Sequence, residues 1–484
     1  MKNNKKNINL KKYLFKGIAI LCDILALVLL IVTFMLGVVP IKFSIIIAIV
    51  LVLLSALVTY LLFKKGKKKT KIIGTVISIL LIIVYSFALV YESKTIGFFD
   101  LITGKKNAVE NYLVIVKNNS NYNDIKDIKD TKMGIINSSE GSYKQALDKL
   151  NDVIKLEHVT YEDYSSLADA LFSDEIVSFL IEESQEAILE ENYEDFTDNT
   201  KVIYSFTVES TLEDIRKDTD VTKNSFNIFI SGIDTYGSIN SVSRSDVNIV
   251  VTLNPDTGKM SMVHIPRDYY VKLYNKNGYN DKLTHAGIYG IETSVKTIEN
   301  LLDIDINYYV KFNFTSVIKI VDKLGGVRVY SDQAFNSGKY DRNTKEVYHY
   351  NQGYNELNGK QALSFARERK KLAGGDRARG VHQEALIEAI LDKITSPSII
   401  VNYTSLLDAL SETFVTNMDS ESLKKLINLQ IDKNIKWKST SMVMNGQSAS
   451  ELTYSYPRQK LYVMIPSNDS INEAKKQIST IYNE

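Results

Sequence analysis

Cysteine is almost absent: the 484 residues hold one, Cys22. Disulfides therefore staple nothing, and burial must hold the folded parts together. Arginine is nearly as scarce, with ten against 48 lysines and none before Arg216. No His/Cys metal spacing, P-loop or GxSxG elbow occurs, which removes the usual zinc, nucleotide-phosphate and serine-hydrolase signatures. No internal repeat is found, and the only low-complexity tracts are clusters of lysine.

What is present begins with three apolar runs, at 17–39, 43–63 and 72–91. Each has about the twenty residues that a membrane-spanning helix needs. The first holds only Asp23, which reads as a group that reaches water or pairs near the interface. That run is too long for a signal peptide, and another span follows almost at once. Six lysines precede the first run, six fill 64–71, and one lies in the PIK connection at 40–42. The positive-inside tendency then places the N-terminus in the cytoplasm and residues 92–484 outside the cell membrane. The net charge of +1 conceals a division: residues 1–91 hold 13 lysines and one acid, and the remainder 45 bases and 56 acids, about −11. An anionic ectodomain with no evident helix-turn-helix gains nothing from duplex phosphates, so no nucleic-acid partner is expected.

Composition divides the outer part again. Residues 92–220 carry 28 acids and 13 bases; residues 221–484 carry 28 acids and 32 bases. Short apolar runs YLVIVK, KMGIIN, HVTY and VSFLIE alternate with helical spacing such as SYKQALDKL, which predicts a small α/β domain. The polar stretch 213–225 reads as a linker. From 226, FNIFISGID, SDVNIVVTLNP and KMSMVHIPRDYYV predict three consecutive strands, with NPDTGK as a hairpin turn. Helical patterns follow at 291–302, 315–324, 357–366 and 377–394, with strands near NYYVKFN and GGVRVYS. The expected fold class is α/β: a three-helix membrane anchor (1–91), an accessory domain (92–220) and a larger mixed α/β domain (221–484) with a central sheet flanked by helices.

The rare arginines concentrate there, beside carboxylates at predicted element ends: SRSD (243–246), PRD (266–268), RER (367–369) and GDRAR (375–379). Lysine serves for ordinary surface charge elsewhere. Guanidinium differs in presenting a planar fork that grips two phosphate oxygens at once. Asp376 suits an N-cap for the 377–394 helix. Arg377 and Arg379 then sit where the helix dipole disfavours positive charge, by roughly 0.3–1 kcal/mol each, unless an anion binds. Gln383 shares the face of Arg379 one turn on. Asp234 and Asp246 end and open adjacent strands and could together hold one Mg2+. Arginines plus Mg2+ around a diphosphate is the arrangement that phosphoryl transfer requires. His285, in DKLTHAG, reads as a structural histidine.

These stretches, with ISGIDTYGSINSVSRSDVNIVVTLNPDTGKMSMVHIPRDYYV, DKLTHAGIYG, INYYVKFNFTS, KLGGVRVYSD, FARER and GDRARG, resemble the LytR-CpsA-Psr catalytic domain over roughly 226–400. Three spans and an accessory domain are similar to its capsule-associated members. The resemblance implies a membrane-anchored transferase of Gram-positive-type envelopes, with peptidoglycan and a polyprenyl-pyrophosphate-linked glycopolymer as partners, and other capsule-synthesis membrane proteins as further ones. The polymer, capsular polysaccharide or teichoic acid, would pass to the muramic-acid 6-hydroxyl as a phosphodiester. By motif, Asp234 and Asp246 would bind Mg2+. Arg244, Arg267, Arg367, Arg369, Arg379 and Gln383 would surround the pyrophosphate, with Lys282 near it, and the polyprenyl tail would lie in an apolar groove between sheet and helices. Arg267 is expected to be essential for transfer, and Asp246 and Asp376 are the two candidate proton acceptors. A non-catalytic carrier-binding scaffold and a transcriptional attenuator are the alternative classes.

Overall fold

The computed structural model describes residues 2–64, 68–103, 107–137, 141–193, 195–233, 239–338, 346–394, 406–408, 410–411 and 413–484. Three helices come first: α1 (Lys2–Leu36), α2 (Ile41–Phe63) and α3 (Lys68–Thr103). All three are long and apolar enough to cross a membrane. They pack through Ala19, Cys22, Ala26, Leu51, Val58 and Tyr85, while Ile45, Ile49, Leu53, Leu80 and Val84 stay exposed, as lipid-facing side chains do. Asp23 pairs within the bundle, accepting a 3.3 Å hydrogen bond from Thr59.

The third helix outruns its apolar stretch and continues to Thr103. Its last turns bring Phe98, Phe99 and Ile102 against Leu36 and Leu407 in one buried cluster. Ion pairs flank that junction: Lys94 Nζ to Asp408 Oδ1 at 2.8 Å and Lys42 Nζ to Asp432 Oδ1 at 2.7 Å. The helix persists because its emerging face finds an apolar partner, and most helical stability comes from such packing.

The second unit contains β1 (Asn107–Lys117), β2 (Lys132–Ile136), α4 (Gly141–Val153), β3 (Glu157–Tyr161), α5 (Tyr164–Phe172), β4 (Ser178–Glu182), α6 (Glu183–Asn192), α7 (Phe196–Asn199) and β5 (Thr200–Thr211). Its sheet runs β3-β2-β4-β1-β5, parallel on either side of β2 and antiparallel around β1. Apolar clusters cover both faces, which is why its inner strands read as continuous apolar runs.

The stretch after β5 is polar, as a linker should be, yet it is strapped down. Arg216 Nε pairs with Asp218 at 2.9 Å, Lys217 Nζ lies 2.5 Å from both Glu299 and Asp305, and Val221 is buried.

The third unit contains β6 (Phe226–Ile233), β7 (Ser245–Asn254), β8 (Lys259–His264), β9 (Tyr270–Val271), β10 (Asp281–Lys282), α8 (Ile291–Leu302), β11 (Tyr308–Asn313), α9 (Phe314–Lys323), β12 (Val327–Ser331), β13 (Phe335–Asn336), β14 (His349–Tyr350), β15 (Gly353–Leu357), α10 (Gly359–Arg367), α11 (Gly375–Ile394), β16 (Phe414–Thr416), α12 (Ser420–Lys433), β17 (Lys438–Val443), β18 (Gly446–Glu451), β19 (Leu461–Pro466) and α13 (Asn468–Asn483). The central sheet has the order β16-β11-β6-β7-β8-β17. One face packs on α8 and α13 through Phe229, Val250, Val263, Ile298 and Ile478. On the other face, Val247, Ile249, Val251 and Met262 meet Ile387 of α11. The odd residues of β7 face one layer and Val250 the other, as the two-residue period of a strand requires. Gly258, at φ +66°, closes the turn between β7 and β8. Because β7 runs antiparallel to β6 and β8, the start of β7 and the ends of β6 and β8 lie at the same end of the sheet.

The second and third units meet through a parallel bridge, Val109 to Ser241, and through Arg458, whose Nε and Nη1 reach Asp163 and Asp169 at 3.1 and 3.0 Å. In the second unit Glu182 ends β4, where Tyr164 donates to it. Burial pushes its carboxyl up to about 7, aided by the nearby charge of Glu110 and outweighing the Tyr164 hydrogen bond. A folded value above the unfolded one makes folding progressively less favourable as pH rises from about 4.5 to 7, by roughly 3 kcal/mol in all. Glu182→Gln is therefore expected to match the parent at pH 4 and to exceed it in stability at pH 8. Denaturation midpoints measured across that range check this; a gap independent of pH would contradict it.

Candidate functional site

Asp246 is the second residue of β7, and Arg267 lies in the loop that leaves β8. That loop is fixed on three sides: Ile265 N donates to Asn248 O (2.8 Å), Thr284 N to Arg267 O (2.8 Å) and Met464 N to Asp268 O (2.7 Å). With its backbone held, Arg267 sets Nη1 2.7 Å from Asp246 Oδ2, and Thr284 donates to Asp246 Oδ1 at 3.0 Å. Burial alone would raise the Asp246 carboxyl. The charges of Arg267, Arg244 and Arg379, with the Thr284 hydrogen bond, outweigh it and hold the group well below the usual carboxylate range.

A close approach secures the 243–245 segment beside Arg244. A Cβ on Gly287 would stand 2.5 Å from Ser243 O and 2.8 Å from Ser245 N, so only glycine lets these backbones meet. Lys282, 3 % exposed, is placed by β10 and by its neighbour Asp281. Asp281 accepts from the Lys282 and Ser455 backbone N–H groups at 2.8 Å each. His285 Nδ1 lies 2.7 Å from Asp281 Oδ1 and 2.8 Å from Ser455 Oγ. That histidine is buried, and its Nδ1 is engaged in holding its loop, in keeping with the structural reading.

The helical half of the site comes from α10 and α11. Gly374 and Gly375 adopt φ of +102° and +56° and turn the chain directly into α11, which begins at Gly375. The expected N-cap assignment of Asp376 is thereby corrected: it is the second helical residue, because the glycines start the helix earlier. Its side chain, like the whole of Asp234, lies outside the described residues. Arg379 is buried, whereas Arg377 is exposed. Gln383, one turn after Arg379, places Oε1 2.9 Å from His264 Nε2 and donates to Ala366 O at 3.3 Å. It thereby ties α11 to β8 and α10. A Cβ on Gly380 would come within 3.0 Å of the His264 ring, so the helix sits close against that strand. His382 stacks against Phe365 and Phe335, with centroids 4.1 and 5.1 Å away, and burial lowers its proton affinity.

Glu368, between the two arginines of RER, is wholly buried. Its carboxylate accepts from the backbone N–H of Arg369 and Lys371 at 2.9 Å and of Gly338 at 2.5 Å, which shapes the α10–α11 loop. Arg369 Nη1 then lies 3.8 Å from Asp268 Oδ2, while Arg267 Nε and Lys282 Nζ each lie 3.7 Å from Asp268 Oδ1.

The structure thus brings Arg244, Arg267 and Arg379 around Asp246, and Arg267, Lys282 and Arg369 around Asp268. Gln383 joins from α11; Arg367 ends α10 two residues before Arg369 and is half-buried. Cations from separate segments thus converge on two described carboxylates, an arrangement that suits recognition of a multiply charged anion. Sequence reading missed the role of Asp268, which stood in the PRD stretch as a mere partner of its neighbour, and missed Thr284 and His264, which lie within the quoted stretches DKLTHAGIYG and KMSMVHIPRDYYV but were assigned no role. Among the described residues no group of three or more His, Cys, Asp or Glu side chains is arranged to hold a metal. Asp246 nevertheless has the chemistry of a Mg2+ ligand, a carboxylate kept ionised, and Mg2+ needs only one or two protein carboxylates alongside substrate phosphate.

Comparison with known proteins decides the family. Residues 183–478 match the LytR_cpsA_psr family model. The chain belongs to the LytR-CpsA-Psr family. It is 34 % identical over 268 residues to the polyisoprenyl-teichoic acid–peptidoglycan teichoic acid transferase TagT of Bacillus subtilis, covering 54 % of this chain and 78 % of that protein. It is 36 % identical over 197 residues to the corresponding transferase TagU of Bacillus anthracis, covering 40 % of this chain and 61 % of that one. The crystal structure of B. subtilis TagV is 27 % identical, with a TM-score of 0.44, covering 54 % of this chain and 98 % of that one. Within this LytR-CpsA-Psr chain the family match takes in the whole site, from Arg244 to Gln383.

The Asp246–Arg267 pair generates a stability prediction. Asp246→Asn removes one charge of a buried pair and is expected to cost about 3 kcal/mol at pH 7. Because the folded carboxyl sits below its unfolded value, the parent's advantage is complete above about pH 4 and is lost as pH falls through the folded value. Chemical denaturation of parent and variant between pH 7 and pH 2.5 should show the gap closing at the acid end; a constant gap would remove the assignment.

Proposed function

We propose that this chain transfers a glycopolymer from a polyprenyl-pyrophosphate carrier to peptidoglycan, leaving a phosphodiester. The observation that supports this reading most is the convergence of Arg244, Arg267, Lys282, Arg369 and Arg379 on Asp246 and Asp268 at one end of the central sheet. Family membership and the names of the relatives, which are teichoic acid transferases, point to the same substrate class. Capsular polysaccharide is the favoured polymer, because three spans and an accessory domain accompany the catalytic unit. The lysine-rich ends of the spans favour a cytoplasmic N-terminus and an extracellular site.

In the proposed reaction the acceptor sugar hydroxyl attacks the glycan-bearing phosphorus. A new P–O bond forms to the acceptor, the P–O bond to the bridging oxygen breaks, and polyprenyl phosphate leaves with that oxygen. The guanidinium groups of Arg244, Arg267, Arg369 and Arg379 and the Lys282 ammonium offset the charge on the diphosphate and on the departing phosphate. Gln383, oriented by His264, fixes α11 beside them. Asp234 and Asp246 would hold Mg2+, which supplies further charge neutralisation when bound. The acceptor proton passes to a carboxylate, with Asp376 and Asp246 as candidates.

The test uses the full chain in lipid nanodiscs with Mg2+, a polyprenyl-pyrophosphate oligosaccharide and peptidoglycan. Mass spectrometry of the digested wall should reveal a new sugar phosphodiester. Arg267→Ala should lower the rate at least about 100-fold, as loss of a transition-state donor does, with an unchanged circular-dichroism spectrum. Tight carrier binding by the parent without product would replace transfer by a scaffolding role.

A further inference from the structure

We infer that Asp268 is a positioning residue that aligns the cations of the two halves of the site through charge. The inference rests on the proposed transfer reaction and deepens it. Asp268 is 3 % exposed, and its backbone is pinned by the hydrogen bond from Met464 N to its carbonyl. Its side chain therefore has little freedom. Three cations from separate segments surround it: Arg267 from its own loop, Lys282 from β10, and Arg369 from the loop between α10 and α11. The ion pairs of Asp268 reach from the strand-end half of the site to Arg369 in the helical half.

The distances define its role. All three separations are 3.7–3.8 Å, beyond hydrogen-bond range, so Asp268 acts on these groups through charge. Asp246 differs: it takes Arg267 Nη1 in a 2.7 Å hydrogen bond. The two carboxylates thus engage different nitrogens of one guanidinium and fix its plane from two sides. Arg369 has its backbone set by Glu368, but a long side chain, 41 % exposed, needs a counter-charge to face inward. Asp268 provides one. Removing its charge would strengthen the raw pull of the site on an anion, while allowing the half-exposed Arg369 to swing away from Lys282 and lose the asymmetric grip that sets one phosphorus apart from the other.

The experiment compares the parent, Asp268→Asn and Asp268→Glu as full chains in nanodiscs with Mg2+. Inorganic pyrophosphate binding is followed by calorimetry and 31P NMR, and transfer by single-turnover kinetics. Asp268→Asn is expected to bind pyrophosphate within threefold of the parent or more tightly, to merge two inequivalent bound 31P resonances into one, and to slow transfer at least tenfold. Asp268→Glu should recover part of the rate. A parallel tenfold loss of binding and transfer with a lowered melting temperature would mark a merely structural residue and overturn the inference, as would 31P inequivalence that survives in Asp268→Asn. If the parent binds pyrophosphate asymmetrically yet transfers nothing, the proposed reaction fails, and the 31P comparison still decides the role of Asp268.

Discussion

Five cationic side chains gathered at one end of the central sheet repel one another, and that repulsion constrains everything around them. Two unit charges 4 Å apart cost about 4 kcal/mol at an effective dielectric near 20, which is a large part of a domain's net stability. The fold meets this with Asp246 and Asp268 and with rigid supports that prevent the cations from moving away. The PRD loop is held by three backbone hydrogen bonds, the 243–245 segment is locked against Gly287, and α11 is drawn onto β8 by the His264–Gln383 contact. Cations held in place by such supports meet an anion without rearranging, which is what a preorganised site offers.

The same economy of charge governs the other units. Arg458 departs from the arginine-rich site and instead joins the hairpin region near β18 and β19 to Asp163 and Asp169 of the second unit. The loop between those strands also supplies Ser455, which engages His285 and Asp281 next to Lys282. A run of direct contacts therefore joins α5 to the backbone of a site lysine. At the base, Leu36, Phe98, Phe99, Ile102 and Leu407 form one cluster, so the helix that leaves the apolar stretch ends in contact with the same unit that carries the site.

Much of this was legible in the sequence, because it rests on local periodicity and on one unusual choice of residue. The strands from 226 to 264 and the helices at 291–302 and 357–366 follow from their apolar spacing, and the shift from lysine to arginine marked the loops that converge. What was not legible depends on contacts between distant segments. Asp268 stands beside Arg267 in sequence, which suggests a private pair; its link to Arg369, a hundred residues on, exists only in the folded chain. Glu368 stands between two arginines in sequence, and only the folded chain shows its carboxylate accepting from the backbone N–H groups of Lys371 and the distant Gly338. The extension of α3 to Thr103 depends on Leu36 and Leu407, and the start of α11 on two glycines in the left-handed region. Each departure is a tertiary contact overriding a local preference.

The lowered proton affinity of Asp246 bears on the chemistry itself. A general base works best with a proton affinity near that of the operating pH, and a carboxylate held far below its usual range by three arginines is a poor acceptor. The same property makes it a good ligand for a hard cation and a good anchor for Arg267. Transfer of a phosphoryl group through a loose transition state places little demand on the base and a large one on charge stabilisation. A site with many fixed cations and one weakly basic central carboxylate fits that balance: its arginines must be held still, and Asp246 is better suited to holding them than to taking a proton.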